Sequence, residues 1–262
     1  MLGANFLVCA AALLATASFA DAGALPGGIC YSPWHHDKVN ADVVNKDFKQ
    51  IGQYFSAVRT YHASFSGLNV IDAAVSAGVQ VSVTIQMGDK NGIAGEIAAA
   101  CDGAKRNPSA VRSIMLKGCT AGTGIKIGSV QRINEWLSAP GAAELSAACD
   151  VVGVNIYPFF TPGDMKPIDK LKAQWAQMTA KYGEEKCALH ETGWPRHGSP
   201  SNGNVPSKDT LQSFLNDFAV WSAEHTRSYF FMMYDTKVSY TGDDFETSFG
   251  LADTNGVLQV SI

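Results

Sequence analysis

Charge is scarce in this chain. Of 262 residues only 17% are charged, and 20 Lys+Arg against 24 Asp+Glu leave a formal net charge of −4. So mild an acidity gives no electrostatic footprint for nucleic acid or an anionic lipid surface. Hydrophobic residues make up 46%, which with so few charges excludes a disordered tail and a coiled coil. No apolar run reaches the ~20 residues that a bilayer-spanning helix needs. The chain has no P-loop, no Rossmann glycine fingerprint and no G-x-S-x-G elbow, so phosphate cradling and the Ser/His/Asp hydrolase pattern are not expected. C-x-x-C is absent and no Cys/His set has zinc-finger spacing. His35-His36 stands without such partners and reads as a surface or pocket-edge pair. Neither a metal nor a cofactor is expected.

Positive charge is also missing from the start: the first Lys or Arg is Lys38. Residues 6–15, FLVCAAALLA, form an apolar run too short to span a membrane, followed by the small-residue sequences Ala20-Asp21-Ala22 and Ala22-Gly23-Ala24. This pattern fits a secretory signal cleaved near residue 22. The expected division is a signal over 1–22 and one domain over 23–262, in a secreted or wall-associated monomer. Of six cysteines, five remain after Cys9 leaves, so one stays unpaired or bridges to another chain. The pairing is left open.

Eight β-rich runs recur at 28–34, 57–62, 80–87, 111–116, 125–131, 151–158, 187–194 and 229–235. Helical patterns separate most of them. Val44, Phe48, Ile51 and Phe55 repeat at helical spacing within 42–55. Ile168, Leu171, Trp175, Met178 and Tyr182 do so within 168–182, and Leu211, Phe214, Leu215 and Phe218 follow a plausible Ser207 cap. Strand–helix alternation implies parallel strands with right-handed crossovers, and eight such units suggest an α/β fold, a (β/α)8 TIM barrel of the usual ~250 residues. One interval breaks the rhythm. Only residues 117–124, KGCTAGTG, separate runs four and five, whereas a parallel crossover takes a dozen or more residues. Either one run is not a strand or a helix is missing, so the barrel is expected to be incomplete around strand 4 and helix 4.

In such a barrel the chemistry lies at the C-terminal strand ends. The residues there are aromatic, amide and acidic, a composition suited to sugar rings and hydroxyls. Glu191, between an apolar run and Thr192-Gly193-Trp194-Pro195, is the sharpest candidate.

E-T-G-W-P at 191–195 resembles the nucleophile motif of glycoside hydrolase family 17, the β-1,3-glucanases. G-I-C-Y-S-P-W at 28–34, V-R-T-Y at 58–61, G-S-V-Q at 128–131, V-N-I-Y-P-F-F at 154–160, Y-F-F-M-M-Y-D-T-K at 229–237 and F-E-T-S-F-G-L at 245–251 are similar to further segments of that family, in wording closer to microbial members than to plant ones. The resemblance implies a retaining O-glycosyl hydrolase acting on β-1,3-glucan, with Glu191 as nucleophile. It implies substrate-binding positions at Tyr31, Tyr61, Asn155, Tyr157, Trp194, Asp235, Lys237 and Glu246. Phe159 and Phe160 fit either a sugar-stacking platform or lid packing. The family's acid/base Glu ends the fourth strand in wording like V-G-N-E. This sequence has Ser113-Ile114-Met115-Leu116-Lys117-Gly118 there, so that Glu is absent, in the same interval that is too short for a crossover helix. Asn134-Glu135 follows the fifth strand and is read as a decoy. The expected function is glucan cleavage with impaired activity, the alternative a β-1,3-glucan-binding protein without catalysis.

Overall fold

The computed structural model describes residues 25–85, 92–115 and 124–262; the signal expected over 1–22 lies outside them. The elements run β1 (Gly28–Cys30), α1 (Ala41–Ile51), β2 (Ala57–Thr60), β3 (Ser64–Phe65), β4 (Leu68–Asn69), α2 (Val70–Ser76), β5 (Gln80–Thr84), α3 (Ile93–Arg106), β6 (Val111–Met115), β7 (Lys126–Arg132), α4 (Ile133–Ser138), α5 (Ala142–Ala147), β8 (Val151–Asn155), α6 (Pro167–Tyr182), β9 (Cys187–Thr192), α7 (Lys208–Ser222) and β10 (Ser228–Phe230). Eight strands close into a barrel in the order β1-β10-β9-β8-β7-β6-β5-β2, every neighbouring pair parallel. The fold is a (β/α)8 TIM barrel, and β3–β4 is an antiparallel hairpin beside it.

The helices form where apolar spacing and caps agree. Asn40 accepts from the Val43 N–H at 3.0 Å to start α1, and Val44, Phe48 and Ile51 face the core. The helix stops at Ile51 rather than reaching Phe55, because Gly52 caps it; Phe55 is buried after it. Ser207 accepts from the Thr210 N–H at 3.0 Å and opens α7, whose Phe214 and Phe218 rings lie 5.5 and 5.2 Å from Phe230. Caps of this kind stabilise a helix by about 1 kcal/mol. The last strand is shorter than the expected 229–235, ending at Phe230.

The irregular interval has a definite outcome. Runs four and five are both strands, β6 and β7, and they pair in parallel with Ser113 opposite Lys126 and Ile114 opposite Ile127. Every other crossover among the described residues carries at least one helix, whereas ten residues, 116–125, separate β6 from β7. Burial follows this difference. All six residues of β9 are buried, while in β7 only Gly128 is, and Lys126 and Arg132 are exposed. Gly128 is required where β7 meets β8, since a Cβ there would lie 2.1 Å from the Val151 carbonyl oxygen.

Candidate active site

Glu191 sits at the C-terminal end of β9, aimed by a bulge. Toward β8 the register runs Val154 opposite Leu189 and then Asn155 opposite Glu191; toward β10 it runs Ser228 opposite Leu189 and Phe230 opposite Thr192. Both neighbours thus see one extra residue in β9. An inserted residue bends a strand and re-aims the side chains after it. His190 therefore meets Tyr229, ring to ring at 5.5 Å, and the next residue, Glu191, still reaches the mouth.

Three donors converge on the Glu191 carboxylate. Arg59 Nη1 and Tyr61 Oη bond its Oε1, the phenol at 3.1 Å, and Tyr157 Oη donates to Oε2 at 2.7 Å. Arg59 and Tyr61 are two apart, so they share one face of the chain leaving β2. Arg59 is itself braced by Thr84 Oγ1 at 3.0 Å and the His190 carbonyl at 3.2 Å, and its guanidinium stacks 4.5 Å over the Tyr61 ring. Burial, together with the nearby Glu191 charge, holds both phenols well above their usual pKa, so they stay donors. Burial pushes the Cys30 thiol up to about 12 and the His190 imidazole well below its ordinary value. Neither is a ready nucleophile or proton carrier.

A cavity of about 250 Å³ opens over this cluster. Its walls are aromatic (Tyr61, Tyr157, Phe160, Phe231, Tyr240 and Phe249), and it holds two carboxylates, Glu191 and Glu246. Glu246 Oε2 accepts from Ser239 Oγ at 2.5 Å and from the N–H groups of Tyr240 and Thr241 at 2.6 and 2.8 Å. Partial burial works against its charge, but these bonds outweigh it and lower its pKa. A second cavity of about 300 Å³, lined by Glu184, Glu185 and Arg227, lies at the opposite end of the barrel, where the strands begin and catalytic groups are not found.

The expected site residues divide. Glu191, Tyr61, Tyr157 and Glu246 meet in the cavity. Asn155 lies opposite Glu191 in the register, and its buried Oδ1 has no hydrogen-bond partner among the described residues. Four expectations are corrected. Tyr31 lies in the core, not at the mouth: it is fully buried, edge-on to Phe48 of α1 at 5.1 Å, and donates to Asp47 Oδ2 at 2.8 Å. Its side chain, one residue past β1, packs against α1. Trp194 is also buried, packed 5.3 Å from Phe159 with its indole N–H on the Val205 carbonyl at 3.1 Å. Asp235 accepts from Arg196 Nη2 and from the Gly250 N–H at 2.9 Å, which ties loops together away from the cavity lining. Lys237 is half exposed and bonds Asp37 Oδ1 at 2.6 Å, so its ammonium faces a surface partner. Glu135 belongs to α4, pairs with Arg132 at 2.5 Å and does not line the cavity. The two phenylalanines separate: Phe159 is core and Phe160 is exposed on the cavity wall.

Arg59 is among the polar strand-end residues the sequence points to, a cation inside an apolar strand run that burial obliges to find an anion; Phe231, Tyr240 and Phe249 were not singled out. Gly193 of the E-T-G-W-P motif has a steric cause, because a Cβ there would lie 2.2 Å from the Phe231 carbonyl oxygen.

Residues 104–250 match the model of the BtgE/BtgC glycoside hydrolase domain. "Probable glucan endo-1,3-beta-glucosidase eglC" of Aspergillus terreus is 28% identical over 117 residues, 43% of this chain and 24% of that protein. "Probable beta-glucosidase btgE" of Neosartorya fischeri is 30% identical over 138 residues, 52% of this chain and 24% of that protein. The chain thus spans about a quarter of the length of the curated relatives it matches. The crystal structure of the family 17 β-1,3-glucanosyltransferase from Rhizomucor miehei superposes with a TM-score of 0.75, covering 91% of this chain and 98% of that one at 17% identity.

Proposed function

Since the chain belongs to the BtgE/BtgC glycoside hydrolase domain family, we propose that it acts on β-1,3-glucan as a retaining O-glycosyl hydrolase whose protonation step is impaired. One observation carries the reading: the Glu191 carboxylate lies under an aromatic cavity with Arg59, Tyr61 and Tyr157 bonded to it. In a retaining mechanism a carboxylate attacks the anomeric carbon, while a second carboxyl group ~5–5.5 Å away protonates the departing oxygen and later activates water. Glu191 fills the first role. Phe160 and Tyr157 on the cavity wall offer rings for contact with the sugar. The relatives named for β-1,3-glucan chemistry support the choice of substrate.

The second role has no occupant in the sequence after β6, where Leu116-Lys117-Gly118 stand. Glu246 does not replace it, because a carboxylate with a lowered pKa and three donors on one oxygen holds no proton to give. General acid–base help contributes ~10²–10⁴-fold, and a sugar alkoxide leaves poorly without it. The same absence supports a second reading, a glucan-binding protein without catalysis. Export to the cell exterior or wall is part of the proposal and rests on the apolar run at 6–15 followed by small residues.

Reducing-sugar release from linear β-1,3-glucan, with Glu191→Gln as control, tests the hydrolase reading. Slow release that Glu191→Gln abolishes supports it. No release, together with saturable binding of laminari-oligosaccharides, supports the binding protein. Equal release by both proteins removes Glu191 as nucleophile.

A further inference from the structure

Asp47 occupies an unusual place for a carboxylate. It lies on the buried face of α1 with Val44, Phe48 and Ile51 and is 4% exposed. Among the described residues its ion-pair partners are two imidazoles, and no Lys or Arg reaches it. A buried carboxylate demands a cation or a full set of donors. What surrounds this one is His35 Nε2 at 3.4 Å, His36 Nε2 at 2.9 Å and the Tyr31 hydroxyl at 2.8 Å, all on Oδ2.

The three side chains each offer one ligand atom, and these atoms lie within 4.8 Å of one another. Zinc bonds of about 2.0–2.1 Å at tetrahedral angles place ligand atoms roughly 3.3–3.4 Å apart. The His35–Asp47 separation already equals such an edge, and the His36–Asp47 one is shorter by about half an ångström. The rings are held in place before any ion arrives. His35 stacks on Tyr234 at 4.2 Å, the two imidazoles lie 3.9 Å apart, and Tyr234 Oη bonds Gln50 Oε1 at 2.9 Å. The Tyr31 hydroxyl is the outer donor that a ligating carboxylate commonly has. His35 is 3% exposed and its Nδ1 has no hydrogen-bond partner among the described residues, so hydrogen bonding there leaves this ring unsatisfied. The His36 side chain is 23% exposed, which leaves the cluster an entry path and a side for water as fourth ligand.

We propose that His35, His36 and Asp47 bind one divalent transition-metal ion of zinc type, pinning the loop after β1 to α1. Two nitrogens and one oxygen suit zinc, whereas all-oxygen sets suit calcium and magnesium. The ion supplies the positive charge that the buried carboxylate lacks, and it lies outside the Glu191 cluster.

Titration of the chelator-treated, untagged chain with Zn²⁺, followed by calorimetry, tests the site. One ion per chain is expected, with a rise in Tm on loading because only the folded state assembles the ligands. Co²⁺ in its place is expected to give the strong visible bands of a tetrahedral ion. His36→Ala, at a partly exposed position, keeps the far-ultraviolet circular dichroism and weakens binding by more than the ~10–100-fold that losing an outer partner costs. His225→Ala, at a histidine stacked on Trp221, leaves stoichiometry and affinity unchanged. Absence of saturable Zn²⁺ binding to the folded chain overturns the proposal, and so does binding that His36→Ala leaves intact.

Discussion

The two sides of the barrel mouth are built to different standards. On the arc from β8 through β9, β10 and β1 to β2, each described crossover carries its helix, and Glu191 is held by groups from β2, from the turn after it and from the turn after β8. On the arc of β6 and β7, ten residues, 116–125, separate the strands and only one of the seven residues of β7 is buried; on the proposed function this is also where the second carboxylate is lacking. Barrel closure holds across so short a connection because backbone hydrogen bonds between neighbouring strands require only register, which Ser113–Lys126 and Ile114–Ile127 keep. On the proposed function two-carboxylate chemistry does not, because the sequence after β6 offers Leu116-Lys117-Gly118 and no carboxylate.

The largest test strikes the intact arc. Glu191→Gln is expected to remove turnover of an activated aryl β-glucoside by more than the ~10²–10⁴-fold that acid–base help contributes, read by chromophore release; retained turnover breaks the comparison. The depleted arc predicts a leaving-group effect next in size. Aryl glucosides that depart without a proton should exceed unactivated glucan oligosaccharides by ~10²–10⁴-fold in kcat/KM, and equal rates would mean that an acid is at work after all. Third is Arg59→Met. Removing one partner of a buried ion pair costs about 3–5 kcal/mol, measured by denaturant unfolding. A paired truncation then compares the arcs directly. Leu189→Ala in β9, fully buried, should cost ~2–5 kcal/mol, and Val130→Ala in half-covered β7 about 1 kcal/mol or less. Equal losses would show that β7 is as well packed as β9.

The last effect concerns pH. Burial, opposed by Arg196 and the Gly250 N–H, raises the Asp235 carboxyl to about 6. A raised carboxyl pKa favours the folded state while the group is protonated, so this contribution is present below about pH 4 and is lost as pH rises through about 6. Against Asp235→Asn, the wild-type chain should lose relative stability over that window, on the order of 1 kcal/mol per pH unit by which the carboxyl is raised.

The barrel was legible because each strand is a short apolar run between turn residues, and because Ser207 and the 211–218 stripe announce a helix in the sequence itself. Glu191 was legible through its flanking motif. Other assignments failed for a shared reason: periodicity does not say which side of a barrel wall a strand-end residue faces. Tyr31 and Trp194 therefore joined the core, and Phe159 parted from Phe160. The bulge that turns Glu191 inward is visible only in the register of both neighbours. Lys237 found Asp37, 200 positions away, through loop packing that no local pattern encodes. The His35-His36 pair lacked partners at metal-ligand spacing in the sequence; its third member, Asp47, comes from the buried stripe of α1, where a carboxylate was not sought.

The short link between β6 and β7 also bears on how the barrel assembles. Ser113 and Lys126 are 13 positions apart in the chain, against 35 for Val152 and Cys187 in the next sector but one. The entropy lost on closing a loop grows with the logarithm of its length, so the β6–β7 contact forms at about 0.9 kcal/mol less cost than the β8–β9 contact. The β6–β7 contact is therefore the most local pairing in the barrel, and as a contact of low order it is a natural point for strand association to begin.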